Sequence, residues 1–215
     1  MAVVATSFTD LVHTYISFDH LNHFVEHTLL LTREGKVYSF GYNYRGQLGL
    51  GHTASEPVPR LIVALSGFKV ISAACSYHHS FTLSTDGSLH AFGRNDSGQL
   101  GLGDVTDRRV PTLVSEAPKE IMSLSCGQFH TVLVTRLGEA FVMGKNEYGQ
   151  LMLEGVDLVK TPTLVRRGSS LSGSDPIAKA CCGYYHTLLL TQSGKVFAAG
   201  RNDYGQVDIG KTVQP

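Results

Sequence analysis

Gly41-Tyr42-Asn43-Tyr44-Arg45-Gly46-Gln47-Leu48-Gly49-Leu50-Gly51 returns as Gly93-Arg94-Asn95-Asp96-Ser97-Gly98-Gln99-Leu100-Gly101-Leu102-Gly103, then as Gly144-Lys145-Asn146-Glu147-Tyr148-Gly149-Gln150-Leu151, and last as Gly200-Arg201-Asn202-Asp203-Tyr204-Gly205-Gln206. The Gly-Gln pairs stand 52, 51 and 56 residues apart. A fixed period of this size signals a repeat architecture, in which each unit is one supersecondary element that buries its apolar face only against its neighbours.

A second block keeps the same register upstream: His27-Thr28-Leu29-Leu30-Leu31-Thr32, His79-Ser80-Phe81-Thr82-Leu83-Ser84, His130-Thr131-Val132-Leu133-Val134-Thr135 and His186-Thr187-Leu188-Leu189-Leu190-Thr191. These residue types favour strand. Each block meets an x-Gly pair (Glu34-Gly35, Asp86-Gly87, Leu137-Gly138, Ser193-Gly194) and then a short apolar run, the pattern of a tight hairpin. An inner strand precedes the histidine in three repeats, at 70–74, 121–125 and 178–181; in the first repeat the matching stretch, 18–24, lacks one. A further strand near 57–62, 111–114 and 162–165 brings the total to about four strands per repeat, the blade of a β-propeller. The expected organisation is an N-terminal segment, 1–23, forming a degenerate start of the first blade. Repeats then follow over 24–215, divided near 24–69, 70–120, 121–177 and 178–215.

Composition agrees with an all-β chain, with 42 % hydrophobic residues and 23 glycines. Charge balances at 18 against 18 and no basic run exceeds two residues, so direct nucleic-acid binding is not expected. Met1 to Asp10 carries no basic residue and no sustained apolar stretch, so it reads as neither a secretory signal nor a membrane span. A cytoplasmic or nuclear protein is expected.

Cys75, Cys126 and Cys182 each lie four residues before a repeat histidine, with Cys181 beside the last. They read as small side chains of the crowded inner strand; the chain has no C-x-x-C pair, and no metal or disulfide is expected. A histidine repeated in every blade (His27, His79, His130, His186) reads as structural, partly buried and joined to its surroundings through hydrogen bonds. Asn43, Asn95, Asn146 and Asn202 read as turn residues, and Gly41, Gly46, Gln47, Gly93, Gly98, Gln99, Gly144, Gly149, Gln150, Gly200, Gly205 and Gln206 as structural residues of the repeat. The run 46–51 spells G-x-x-G-x-G, which is neither a dinucleotide fingerprint nor a P-loop, so no cofactor is expected. Asn95-Asp96-Ser97 matches a glycosylation acceptor inside the repeated turn, and glycosylation there is not expected. The loop Gly168 to Asp175 accounts for the longer third interval and lacks the spacing of a nucleophile elbow. No catalytic set is visible.

Taken together, His-Thr/Ser, an x-Gly hairpin and Gly-x-Asn-x-x-Gly-Gln-Leu-Gly-x-Gly resemble the repeat of the regulator of chromosome condensation family, over roughly His27 to Gly210. The resemblance implies a seven-bladed type of propeller. Four repeats then make about four blades, an incomplete or partner-completed ring whose open strand edges call for closure, capping or association. The family's usual Trp-Gly reads Phe40-Gly41, Phe92-Gly93, Met143-Gly144 and Ala199-Gly200 here, and the chain contains no tryptophan. That argues against ultraviolet sensing of the kind found in the family's plant photoreceptor.

The functional expectation is a non-catalytic scaffold that binds another protein through loops on a propeller face. Alternatives implied by the resemblance are guanine nucleotide exchange on a Ran-type small GTPase and a regulatory module of a larger ubiquitin-ligase-type protein. Exchange in the family uses a wedge-like insertion, to which only Gly168–Asp175 compares, and the founding member's basic tail has no counterpart in this N-terminus. Candidate partner loops contain Asp104, Asp107, Arg108, Arg109, Glu147, Tyr148, Arg166 and Arg167, with self-association a further way to cover open edges.

Overall fold

The structure, a computed structural model, describes residues 11–16, 27–165 and 175–208. Among the described residues, fifteen strands make four antiparallel sheets. β1 (Leu11–Ile16), β2 (His27–Thr32), β3 (Val37–Gly41) and β4 (Glu56–Leu61) form the first sheet in that spatial order. β5 (Val70–Cys75), β6 (His79–Ser84), β7 (Leu89–Gly93) and β8 (Arg108–Leu113) form the second. β9 (Ile121–Cys126), β10 (His130–Thr135), β11 (Ala140–Lys145) and β12 (Leu158–Leu164) make the third. β13 (Ile177–Cys182), β14 (His186–Thr191) and β15 (Val196–Gly200) make the last, which has three strands among the described residues. Each is a meander whose consecutive strands pair, the blade that the repeats predict.

The first repeat does have an inner strand, contrary to expectation. β1 pairs with β2, and Ile16 opposes Thr28 as Cys75 opposes Ser80, Cys126 opposes Thr131 and Cys182 opposes Thr187. The linear pattern hides this strand because it lies seven residues further upstream of its histidine than its counterparts do. Its sequence, Leu-Val-His-Thr-Tyr-Ile, is rich in β-branched and aromatic residues.

The chain divides into two compact units, Met1–Arg94 with Asp107–Leu113, and Asn95–Thr106 with Val114–Pro215. In the first unit, Leu29, Leu31 and Val37 of one blade pack with Val70, Ala73 and Phe92 of the next. In the second, Val132, Val134, Ala140 and Val142 pack with Ala180 and Leu189. Each fully buried Leu, Val or Phe stabilises its sheet pair by about 1.5–3 kcal/mol. Outer strands carry proline at positions 57, 59, 111 and 162. Proline has no N–H to offer, so these sheet edges are poor templates for another strand.

Candidate protein-interaction site

The repeat residues form a chain of hydrogen bonds from blade to blade. In the first unit His27 Nε2 lies 2.7 Å from Ser80 Oγ, and that hydroxyl donates to the Gln47 carbonyl at 2.9 Å. In the second unit His130 Nε2 lies 2.9 Å from Thr187 Oγ1, which donates to the Gln150 carbonyl at 2.8 Å. Thr131 Oγ1 donates to the Gln99 carbonyl at 2.9 Å. Because the hydroxyl proton is committed to the carbonyl, the imidazole must donate: both histidines are neutral, with the proton on Nε2. Burial first, then the neighbouring imidazoles of His78 and His186, pulls His27 and His130 down to about 3. His27, His79 and His130 are at most 1 % exposed, deeper than the sequence implied, whereas His186 is half-buried.

Asparagine and glutamine hold the turns. Asn43 Oδ1 accepts from Leu48 N–H, and its amide donates to the carbonyls of His52 and Ala54. Asn95 and Asn146 repeat this with Leu100 and Leu151, and Asn202 accepts from Val207 N–H. Each glutamine, Gln47, Gln99, Gln150 or Gln206, accepts from the N–H two residues before it. Asn95 is fully buried, so the glycosylation acceptor is sealed inside the fold. A glycine at or next to the end of each third strand has φ between 99° and 118° (Gly41 at 104°), and a Cβ on Gly144 would stand 2.2 Å from the Phe129 carbonyl oxygen.

That same backbone crossing assembles an exposed cluster. His130 opposes Gly144 in register, and Lys145 N–H donates to the Phe129 carbonyl at 2.8 Å; Arg201 N–H donates likewise to Tyr185 at 2.9 Å. In these two blades the residue before the histidine therefore meets the residue after the blade glycine at one end of the sheet. Gln128 N–H donates to the Tyr184 carbonyl at 3.0 Å, tying the two blades together. Tyr185 sits at the centre. Its ring centroid is 5.9 Å from Phe129, 5.2 Å from Tyr148 and 4.8 Å from Tyr184, and the Arg201 guanidinium lies 5.6 Å from the Tyr148 ring and 5.9 Å from Tyr185. Lys145 lies 5.9 Å from Phe129 and pairs with Glu147; Arg201 pairs with Asp203. Burial raises the Tyr185 phenol above its ordinary value, and hydrogen bonding to Glu147 raises Lys145, so phenol and ammonium are neutral and charged respectively near pH 7.

The first unit has a counterpart. Tyr42 stacks on Tyr44 at 6.4 Å and tilts against His78 at 5.8 Å, Tyr77 meets His78 at 4.2 Å, and Arg45 pairs with Asp107 at 3.0 Å.

Of the expected partner residues, Glu147 and Tyr148 lie in the Tyr185 cluster and Asp107 in the first unit's counterpart. Asp104 holds a turn, its carboxylate accepting from Thr106 N–H and Asn95 Nδ2. Arg108 and Arg109 belong to β8 rather than to a loop: Arg108 opposes Gly93 in register, and Gly51 N–H donates to the Arg109 carbonyl. Arg166, Arg167 and Gly168–Ser174 lie outside the described residues. Sequence reasoning missed Phe129, Tyr184, Tyr185 and Arg201. The signal was the dipeptide preceding each histidine, Tyr77-His78, Gln128-Phe129 and Tyr184-Tyr185.

Cys75, Cys126 and Cys182 are half-buried and Cys181 is exposed; burial pushes the Cys75 and Cys182 thiols up to about 12. Such thiols stay protonated. Among the described residues no cluster of three His, Cys, Asp or Glu side chains is placed to hold a metal, and no helix is long and apolar enough to cross a membrane.

Blade, turn and clamp together define a repeat-built β-propeller of one kind: the RCC1-like domain matches residues 25–215, and the chain belongs to that family. It is 38 % identical to the ultraviolet-B receptor UVR8 of Arabidopsis thaliana over 87 % of this chain and 42 % of UVR8. The solved structure of human WBSCR16 superposes with a TM-score of 0.80 at 27 % identity, over 95 % of this chain and 51 % of WBSCR16. Prp20p of Saccharomyces cerevisiae, described with its binding to Gsp1p and histones, gives a TM-score of 0.68 at 25 % identity, over 81 % of this chain and 42 % of Prp20p. The chain thus spans about half the length of these relatives or less.

Proposed function

We propose that this chain is a non-catalytic protein-interaction module, acting in the cytoplasm or nucleus, whose contact surface centres on Tyr185. The observation that carries the reading is the composition of that cluster. Four aromatic rings share one end of two blades with two cations, each already held by a carboxylate two residues on. Tyrosine and arginine lead the residues that dominate binding energy at interfaces, because a large rigid ring with a polar tip contributes area at small entropic cost. Tyr148 and Tyr184 keep 40 % and 41 % of their surface exposed, more than packing inside the blades requires. The binding of Prp20p to protein partners supports the same class of role.

Affinity capture from a cell lysate tests this, comparing wild type with Tyr184→Ala and Tyr185→Ala, each checked for an unchanged melting profile. A partner that wild type retains and both variants lose supports the reading; partners that ignore both substitutions overturn it. Running the capture with nucleotide stripped by chelator and with excess GTP tests the Ran-type exchange alternative. A small GTPase held only in the stripped sample would favour exchange, since an exchange factor prefers the nucleotide-free state.

A further inference from the structure

We propose that the surface formed by Phe129 and Tyr185 binds a proline-rich segment of its protein partner, held in the extended polyproline II conformation. The inference rests on the reading of the Tyr185 cluster as a protein-contact surface and names the occupant of that surface.

Glutamines of the repeat turn carry the first observation. In the first unit Gln47 Nε2 lies 3.1 Å from His78 Nδ1, so the amide is satisfied by the residue that precedes the next blade's histidine. Phe129 and Tyr185 hold the place of His78 in the second unit. The backbone contacts there are unchanged: the carbonyls of Gln99 and Gln150 accept from Thr131 and Thr187, as that of Gln47 accepts from Ser80. A hydrocarbon ring edge offers no lone pair where the imidazole does. Gln99 Nε2 and Gln150 Nε2 are accordingly buried without an acceptor, in residues that are 0 % exposed. Gln128, 7 % exposed, donates from Nε2 to Tyr184 Oη, while its Oε1 is buried without a donor. Unpartnered buried groups of this kind are rare in native folds. Three of them, from Gln99, Gln128 and Gln150, accompany one pair of rings. Both rings are only half-buried, so a ring rotation opens the amide behind it to a ligand.

Ring spacing supplies the second observation. Phe129 and Tyr185 lie nearly parallel, 14° apart, with centroids separated by 5.9 Å. Polyproline II rises about 3.1 Å per residue, so two prolines with one residue between them stand about 6 Å apart along its axis. Aromatic-lined surfaces recognise such segments because the conformation is formed before binding and little ordering is lost. Polar complementarity selects the same occupant. Proline has a carbonyl and no N–H, which suits the two glutamine donors, and the intervening residue supplies the N–H that Gln128 Oε1 lacks. Charge selects against an acidic segment: Lys145 is already held by Glu147 and Arg201 by Asp203.

The test is fluorescence anisotropy with a labelled peptide of alternating proline and alanine, against controls of alternating serine and alanine and of alternating aspartate and alanine. Wild type is compared with Phe129→Ala and Tyr185→His near pH 8, where an imidazole is neutral. Tyr185→His copies the pairing of Gln47 with His78, so it gives Gln150 an internal acceptor and preserves the fold; melting profiles check both variants. Wild type should bind the proline peptide, and each variant should bind it at least roughly tenfold more weakly, as expected for residues at the centre of a contact. Either control binding as tightly as the proline peptide overturns the proposal, and so does binding that ignores both substitutions. Absence of proline-peptide binding, when a lysate partner is still lost from Tyr184→Ala and Tyr185→Ala, overturns this inference alone and leaves the contact surface standing.

Discussion

At the scale of single residues, the recurring histidine, hydroxyl and glutamine carry more than their letters suggest. Removing the Thr187 hydroxyl leaves the His130 Nε2–H buried without an acceptor, and an unsatisfied buried donor costs about 1–3 kcal/mol. Thr187→Val should therefore lower stability by that amount in denaturant unfolding, and Thr187→Ser should restore most of it; equal losses in both would deny the clamp its role. Glycines divide as sharply. Gly144 has φ 108° and a Cβ there would meet the Phe129 carbonyl oxygen at 2.2 Å, whereas Gly149 has φ 75° with nothing within 4 Å. Gly149→Ala should cost about 1–2 kcal/mol, the left-handed backbone penalty alone. Gly144→Ala should cost several times that, because backbone rather than a flexible side chain must yield.

At the scale of elements, the strands and hairpins were legible because period-2 residues and x-Gly turns repeat in register. β1 was not, since its distance from β2 departs from the repeat and only hydrogen bonding reveals the pair. β4 illustrates how an edge is managed: Pro57 and Pro59 are exposed on the outer strand and present no N–H. Replacing both with threonine restores two donors to an exposed β-rich edge. Light scattering during heating should rise earlier for that double variant than for wild type. Coincident curves would show that the edge is protected by other means.

For the whole molecule, acid is the expected weak point. The folded chain holds His27 and His130 at about 3 against an ordinary 6.5, so the unfolded chain binds their protons more readily. Stability from these two groups is complete above about 6.5 and is lost as pH falls from there toward 3, at about 1.4 kcal/mol per pH unit for each histidine. Melting temperatures should hold steady from pH 8 to 7 and fall progressively below about 6.5. Replacing His130 with glutamine, which keeps a donor toward Thr187, should make that fall shallower without abolishing it, because His27, His90 and His186 are also held below their ordinary value by burial.

Local chemistry alone determined that this chain builds blades: the fifty-residue period, the strand-forming blocks, the turn glycines and the asparagines all act within a few residues of themselves, so they can be read along a line. Membership of the repeat family follows from the same local pattern. What tertiary structure decided is everything that joins one repeat to the next. The donation from His130 to Thr187 spans 57 positions, and the Tyr185 cluster exists because opposed strands bring the residue before a histidine beside the residue after a glycine. Glu147 and Tyr148 were visible in sequence as a charged aromatic turn, but their neighbours Phe129, Tyr185 and Arg201 come from other strands, and proximity across a sheet leaves no mark in linear spacing until the register of the pairing is known.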